Sequence, residues 1–282
     1  MKNLFAIILL SLCIAQSTDF PNEEIIKLGS NWFQTTSWIE IHDDITPALA
    51  KEKAINQALT NIIEFSSGVE IKSNSLSIMS ETNMKMDIDH FSQIINSMSN
   101  GIILEKEILK EETKIIDGYL LSIVTIRAKT GKLEGKSDPF FKLEANLNRE
   151  NYQQGDEMII NINSTKDCFV YVFNILSDET VSALLPNQYI SDNFLQKGKS
   201  LRVPPAEGKI TKFRVDLPED KTQATEMIMI LGIKTIEDEH YKDFDLTMGN
   251  YKMAMKELME FIMDFPRDRI EQVSLPYVIT SK

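Results

Sequence analysis

Few residues in this chain have the types and spacing that catalysis or metal binding requires. The histidines His42, His90 and His240 form neither an HExxH nor an HxxxH pair, and Cys13 and Cys168 are the two cysteines. Zinc needs several nitrogen or sulfur ligands close together, so no zinc site is indicated. The sequence also lacks the phosphate-cradling patterns GxxxxGKS/T and GxGxxG. We therefore predict no catalytic, cofactor-binding or metal-binding residues.

Three polar clusters resemble reactive sites but have simpler explanations. His42-Asp43-Asp44 has the residue types of a metal or acid–base cluster, and we interpret it as a solvated strand end. Ser66-Ser67-Gly68 lacks the first glycine of a nucleophile elbow, so we predict a helix terminus. The acidic run from Glu237 to Asp245 offers oxygen ligands for Ca²⁺, but its spacing is not that of an EF-hand. We interpret the run as an acidic loop, and expect that calcium does not raise the melting temperature.

Two apolar groups could receive a ligand or a partner. Phe169, Tyr171 and Phe173 fall on one face of a strand, where they could form a ligand platform. The helical segment Tyr251 to Phe265 is rich in methionine, whose side chain adapts to different partners. We predict that the aromatic row packs in a core and that the helix docks on the sheet.

The N-terminal segment predicts export. Leu4 to Ile14 is an apolar run behind a short positive segment, too short to span a bilayer, and small residues follow at the −3 and −1 positions. We predict a signal peptide over residues 1–15, the alternative being a buried N-terminal strand or helix. Leu12 stands where a lipobox needs a small residue, so a lipid anchor at Cys13 is not expected. The predicted location is periplasmic or secreted, in the cell envelope.

Composition excludes several classes of partner. The chain has 282 residues and a net charge of −12, which repels phosphate backbones, so we expect no nucleic-acid partner. Beyond the signal segment, no apolar run reaches the length of a transmembrane helix.

Removal of the signal leaves Cys168 alone, so no internal disulfide is possible, and its apolar surroundings predict a buried thiol.

A change in composition divides the chain into two blocks. Residues 129–139, KTGKLEGKSDP, have the glycines, lysines and proline of a solvated linker. We predict an α+β domain over residues 21–130, a linker over 131–139 and a second domain over 140–282.

The first block mixes helix and strand. Thr46-Pro47 supplies an N-cap and a proline at the first helical position, and small residues recur from Ala50 to Ala58 before Gly68 ends the helix. Asp117-Gly118 is a favoured hairpin turn. The pattern predicts a helix packed on a small, mostly antiparallel sheet. The predicted strands are 38–41, 69–79, 101–111 and 119–129, with a second helix at 86–98.

The first block also resembles a known family. The shared features are the strand with Trp38, the helix ending Ser66-Ser67-Gly68-Val69, and the Gly101-Ile102-Ile103-Leu104-Glu105 strand paired with Gly118-Tyr119. Because of these features, residues 32–128 resemble the N-terminal domain of the flagellar assembly protein T family and the related lipoprotein family called Lpp-twenty. The resemblance implies a role in envelope assembly.

The second block, which begins at Phe140, has the pattern of an Ig-like antiparallel β-sandwich with a C-terminal helix. Apolar residues alternate in short runs, and the turns contain Tyr152-Gln153-Gln154-Gly155-Asp156, Ser177-Asp178 and Leu185-Pro186-Asn187. Gly155 is expected to adopt a positive φ and Asp156 to bond the turn backbone. We interpret Tyr152, Gly155, Asp156, Pro186 and Asn187 as residues that maintain the fold.

The second block is similar to the family catalogued as domain of unknown function 4384. The similarity rests on Tyr152 to Asp156, Val170 to Asn174, Leu184 to Asn187, Arg202 to Pro204 and Phe213 to Val215, and it covers residues 140–282. Glu179 departs from the pattern, since glycine usually follows Asp178. Family members occur as C-terminal modules beside other domains, and the resemblance implies no reaction.

Together these features predict an α+β protein of two domains. We expect a non-enzymatic, exported envelope protein that acts as a binding or assembly module, with another envelope protein as its partner. The alternative is a β-sandwich that binds a small ligand or glycan. A hydrolase with an unrecognised site is a third hypothesis.

Overall fold

A computed structural model of the protein describes residues 20–67, 102–131, 134–178, 180–219, 221–235 and 252–282. Within these ranges the chain is mostly strand, with two helices and several sheets, and the predicted α+β class is confirmed. None of the described helices is long and apolar enough to cross a membrane. Several predicted features lie outside the described residues: the signal peptide, Cys13, strand 69–79, helix 86–98, His90, Glu179, and the acidic run 237–245 with His240.

The N-terminal part is an antiparallel sheet with a helix on one face. Its strands are β1 (Ile26–Gly29), β2 (Trp32–Glu40), β3 (Ile102–Ile116) and β4 (Tyr119–Gly131), in the spatial order β1-β2-β4-β3. Helix α1 (Pro47–Ser67) packs Ala54, Ala58 and Ile62 against the sheet. Because alanine side chains are small, they let the helix backbone approach the strands closely.

Local sequence chemistry sets the boundaries of these elements. The Thr46 hydroxyl oxygen accepts a hydrogen bond from the Leu49 amide at 3.3 Å, which caps α1 immediately before Pro47. Asp117 and Gly118 have φ values of 52° and 87°, the positive values that a tight hairpin turn between β3 and β4 requires.

Among its described residues, the C-terminal part consists of three sheets and one helix. The large sheet has the order β15-β10-β9-β14-β16-β6, and β11 also pairs with β9. All its pairings are antiparallel except that of β6 with β16. The smaller sheets are β12-β8-β5 and the pair β13-β7. The bounds are β5 (Leu143–Leu147), β6 (Asn151–Gln153), β7 (Glu157–Met158), β8 (Ile160–Ser164), β9 (Cys168–Ile175), β10 (Thr180–Leu185), β11 (Phe194–Leu195), β12 (Ser200–Val203), β13 (Phe213–Arg214), β14 (Gln223–Lys234), β15 (Lys252–Ala254), α2 (Met255–Met263) and β16 (Ile270–Thr280).

The large sheet is covered on both faces. One face packs against β5, β8 and β12 and forms a sandwich core that includes Val172, Ile228 and Ile230. The other face packs against α2 through side chains that include Phe173 and Met229. Strand β14 lies in the middle, which explains why its sequence is almost continuously apolar rather than alternating.

Helix α2 also touches the N-terminal sheet. Lys256 forms an ion pair with Glu105 of β3 at 3.2 Å. The Met263 sulfur lies so close to Gly131 of β4 that a Cβ there would overlap it, and Leu104 lies beside the same point. Past the helix, the Arg267 amide donates a hydrogen bond to the Glu134 carbonyl oxygen at 2.7 Å.

The start of the C-terminal part is held by a carboxylate. Asp138 accepts from the ammonium groups of Lys166 and Lys234 at 2.7 and 2.8 Å and from the Phe140 amide at 2.9 Å. These donors hold the pKa of Asp138 far below its ordinary range. The side chain is 14% exposed, so solvent screens these contacts only in part.

Candidate functional site

A cavity of about 410 Å³ opens at one end of the β-sandwich. It lies on the sandwich-core face of the large sheet, where β9, β14 and β16 meet the β13–β7 pair and the loop after β10. Its volume falls within the range of about 300–1,000 Å³ that is usual for small-molecule pockets. We call this space the sandwich-end cavity.

Three polar side chains from three neighbouring strands meet in the wall of the sandwich-end cavity. Glu226 on β14 lies directly opposite Tyr277 on β16. Asn174 on β9 lies opposite Ile228, two residues along β14 from Glu226. Because side chains two residues apart share a face of a strand, the sheet register brings all three together.

Hydrogen bonds fix one oxygen of the carboxyl group. The Tyr277 hydroxyl donates to Glu226 Oε2 at 2.6 Å, and Asn174 Nδ2 donates to the same oxygen at 2.8 Å. The Tyr277 hydroxyl also lies 3.0 Å from Asn174 Oδ1. Within the described part of the chain, no donor reaches Glu226 Oε1. Glu226 Oε1 is not completely enclosed by the described residues, so this oxygen is accessible from the cavity.

Burial controls the ionisation of this group. Glu226 is 3% exposed, and its burial raises the pKa of the carboxyl group, while the hydrogen bonds from Tyr277 and Asn174 oppose the rise. Burial, followed by the nearby Glu226 charge, raises the pKa of Tyr277 well above its ordinary value. The tyrosine therefore keeps its proton and remains a donor to the carboxyl group.

The rest of the cavity is apolar inside and polar at its mouth. Met158, Leu184, Ile210, Phe213 and Ile228 supply apolar side chains to the lining. Exposed polar residues line the mouth, and two of them are already engaged: Lys212 pairs with Glu157 at 2.6 Å, and Asp216 accepts from Gln154 Nε2 at 2.7 Å. The mouth residues are Gln188, Tyr189, Lys212, Arg214 and Asp216.

The predicted turn residues lie in the cavity wall or contact residues that line it. Asn187 Oδ1 accepts from the Tyr189 and Ile190 amides at 2.8 and 2.9 Å, and its Nδ2 donates to the Leu184 carbonyl oxygen at 2.7 Å. This turn places Tyr189 at the mouth. Pro186 precedes it in a cis peptide bond with Leu185.

The second turn contacts Val215 and Tyr277, which line the cavity. Gly155 has the expected positive φ, 86°, and Asp156 Oδ2 accepts from the Gln153 amide at 3.0 Å. The Gly155 amide donates to the Val215 carbonyl oxygen at 2.8 Å, which ties the turn to the chain after β13. The ring of Tyr152 packs edge-on against Tyr277 with centroids 5.6 Å apart. These residues maintain the fold as predicted, and they also hold the cavity wall.

Most of the other candidates have structural roles. His42 Nδ1 accepts from the Asp44 amide at 3.4 Å in a short turn closed by a bridge to Ile45. The Ser66 hydroxyl donates to the Ile63 carbonyl oxygen at 3.1 Å at the end of α1. Among the described residues, no three histidine, cysteine or acidic side chains are placed to hold a metal ion.

The apolar candidates pack as predicted. Tyr171 and Phe173 contact the ring of Phe261 on α2, with centroid distances of 5.2 and 6.5 Å. Phe169 packs on Phe194 at 5.6 Å. Cys168 is fully buried, and burial raises the pKa of its thiol. The aromatic row therefore belongs to the core beneath α2 rather than to a ligand platform.

The triad of Glu226, Tyr277 and Asn174 was not predicted from the sequence. One signal was available, because Glu226 is the single charged residue between Gln223 and Lys234 in an otherwise apolar strand. An acid in that position must be buried in a sheet, and a buried acid needs hydrogen-bond partners. Its partners could not be read from the sequence, since they come from two other strands.

The C-terminal similarity to a known family is confirmed. Residues 151–230 match one family. It is described as Domain of unknown function (DUF4384). The match includes Asn174 and Glu226 and ends before Tyr277. No curated protein matches the chain. The resemblance of residues 32–128 to the flagellar assembly protein T family stays a prediction.

Proposed function

We propose that this protein is an exported, non-enzymatic binding module of the cell envelope, and that its binding site is the sandwich-end cavity. The apolar run Leu4 to Ile14 behind a positive segment supports export. The observation that carries the binding role is the placement of Glu226. A carboxyl group with one fixed and one accessible oxygen stands in the apolar lining of an open cavity.

The geometry of the triad supports recognition. Binding pockets typically combine apolar walls with a few polar groups held in fixed positions. Tyr277 and Asn174 fix the orientation of Glu226, so the carboxyl group need not be ordered when a ligand enters. For the C-terminal part we therefore favour the alternative hypothesis of the sequence analysis, in which the β-sandwich binds a small ligand.

A second role, assembly with another envelope protein, has separate support in the N-terminal part. Strand β3 is outermost in its sheet among the described residues. Ile108, Leu109 and Ile115 on this strand are 45%, 42% and 73% exposed. An outer strand with exposed apolar side chains can pair with an extended segment of a partner. The resemblance to flagellar assembly proteins favours the same role.

Export is tested by fractionation of cells that produce the full chain or a variant lacking residues 1–15. The full chain should appear in the periplasm, envelope or medium, and the shortened variant in the cytoplasm. A full chain that remains in the cytoplasm would refute export.

Binding in the cavity is tested with a fragment library and thermal shift. Leu184→Trp fills the cavity with a bulky ring, and Phe140→Trp is the matched control because Phe140 is 77% exposed and does not line the cavity. Fragments that stabilise the wild type should also stabilise Phe140→Trp but not Leu184→Trp. If no fragment distinguishes the two variants, the cavity is not a binding site.

A further inference from the structure

We propose that the sandwich-end cavity binds a primary ammonium group on an aliphatic stem, with the ammonium on Glu226 Oε1. This inference rests on the proposed role of the cavity as a binding site, and it names the chemistry of the occupant.

The free oxygen of Glu226 defines the polar end of the occupant. Tyr277 and Asn174 both donate to Oε2, which leaves Oε1 as the acceptor that faces the cavity. An ammonium group has three donors and no acceptor, so it matches a carboxylate oxygen without leaving an unmet acceptor of its own. Hydrogen bonds between oppositely charged groups are also the strongest that a buried oxygen can accept.

The charges around Glu226 favour a cation. Its two hydrogen-bond partners are neutral, and a buried carboxylate without a counter-ion is unfavourable. Asp178 adds a second negative charge near Glu226, and Lys221 adds a positive one. The Lys221 ammonium is instead bonded to the Ser177 hydroxyl at 2.9 Å. An incoming ammonium would supply the missing positive charge.

The walls define the rest of the occupant. The apolar side chains of Met158, Leu184 and Phe213 line the cavity and can cover methylene groups. At the mouth, the Lys212 ammonium is already paired with Glu157. An aliphatic stem would therefore lie along the apolar lining with the ammonium at the carboxyl group and its other end toward solvent.

Two sources can supply this chemistry. One is a free aliphatic amine, and the other is a lysine side chain of a partner protein. Both present the same ammonium and the same methylene stem to the cavity, so they are separated by experiment.

The test uses the full mature chain, isotope-labelled for NMR, with n-butylamine and n-butanol as probes of equal stem length and different charge. Butylamine should shift the signals of Leu184 and Ile228 in a saturable way. Butanol should bind about tenfold more weakly or worse, as expected for loss of a hydrogen bond between charged groups.

Glu226→Gln is the decisive variant. A glutamine can keep its oxygen toward Tyr277 and Asn174 and turn an amide toward the cavity, so the fold is preserved while the acceptor is lost. Glu144→Gln makes the same charge change at an exposed position on β5. Amine affinity should fall about tenfold or more in Glu226→Gln and stay unchanged in Glu144→Gln. Equal amine binding by Glu226→Gln and the wild type, or equal binding of butanol and butylamine, would overturn the inference.

The remaining outcomes separate the two proposals. If fragments bind in the cavity but butylamine does not, the proposed binding role stands and the ammonium inference falls. If nothing binds, both fall. Where butylamine does bind, Nα-acetyl-lysine amide and a lysine-containing peptide are compared with it. Tighter binding of the peptide assigns the site to a partner's lysine, and weaker binding assigns it to a free amine.

Discussion

Thr225 is adjacent to Glu226 in β14, and its side chain is fully buried. Its hydroxyl oxygen has no hydrogen-bond partner among the described residues, and an unsatisfied buried hydroxyl destabilises the fold. Thr225→Val replaces the hydroxyl with a methyl group of similar size. We expect it to increase the free energy of unfolding by about 1 kcal/mol.

Urea denaturation measures the effect of Thr225→Val, and Thr165→Val is its control. The Thr165 hydroxyl donates to the Phe140 carbonyl oxygen and accepts from the Lys142 amide, both at 2.8 Å. Its loss should destabilise the same domain by about 1 kcal/mol. If both substitutions change stability in the same direction, the buried Thr225 hydroxyl does not destabilise the fold.

Glu226 should make stability depend on pH. Burial raises its pKa in the folded state, so the folded protein holds a proton that the unfolded chain has already released. The stability that this proton provides is complete below the unfolded pKa and is lost as the pH rises through the folded pKa. Glu226→Gln removes this dependence. Its stability relative to wild type should therefore rise as the pH increases from about 4, the ordinary pKa of glutamate, through the raised pKa of the folded state, as measured by urea unfolding. A constant difference would contradict this account.

At the scale of elements, a glycine in β14 permits the close packing of the chain after the linker. A Cβ at Gly232 would lie 3.2 Å from Phe141 Cζ and 3.3 Å from Leu143 Cδ1, tighter than ordinary contact. Gly232→Ala should destabilise the protein by about 1–3 kcal/mol through overpacking. Phe141→Leu should relieve part of this cost, so the double variant should be more stable than the sum of the single changes predicts. If the effects of the two single substitutions on the free energy of unfolding simply add in the double variant, the overpacking explanation is wrong.

The Asp138 contacts should respond to pH in the opposite direction from Glu226. Lys166 and Lys234 lower its pKa in the folded state, so its contribution is present above the unfolded pKa and is lost as the pH falls through the folded pKa. Asp138→Asn should therefore lower stability at neutral pH, and its difference from wild type should shrink in acid. Urea unfolding at several pH values measures this. Asp117→Asn, in the exposed β3–β4 turn, is the control and should have little effect at any pH.

Elements defined by local chemistry were predictable from the sequence. The start of α1 at Thr46-Pro47, the hairpin turn at Asp117-Gly118 and the turn at Gly155 each depend on a few adjacent residues. The triad was not predictable for the opposite reason. Glu226 bonds to Asn174 across 52 positions and to Tyr277 across 51, and only the order and register of three strands bring them together.

The whole molecule should unfold as a coupled unit because α2 contacts the N-terminal sheet. Both tryptophans, Trp32 and Trp38, lie on β2, so their fluorescence reports that sheet alone, whereas circular dichroism reports the whole chain. In the wild type the two signals should change together in urea. Met263→Asp places a charge beside Leu104 and Gly131 and should separate the two transitions. Glu260→Ala, on the exposed side of α2, should leave them coincident; separate transitions in the wild type would show that the contact does not couple the two parts.

Strand β16 determines when the C-terminal part can finish folding. It lies between β14 and β6 in the large sheet and contributes Tyr277 to the cavity wall. A chain that emerges from the ribosome with its N-terminus first presents β5 to β15 before β16. Until residue 280 has emerged, β14 and β6 have no strand between them, and the triad lacks its tyrosine. The order of synthesis therefore leaves the triad incomplete until β16 has been made.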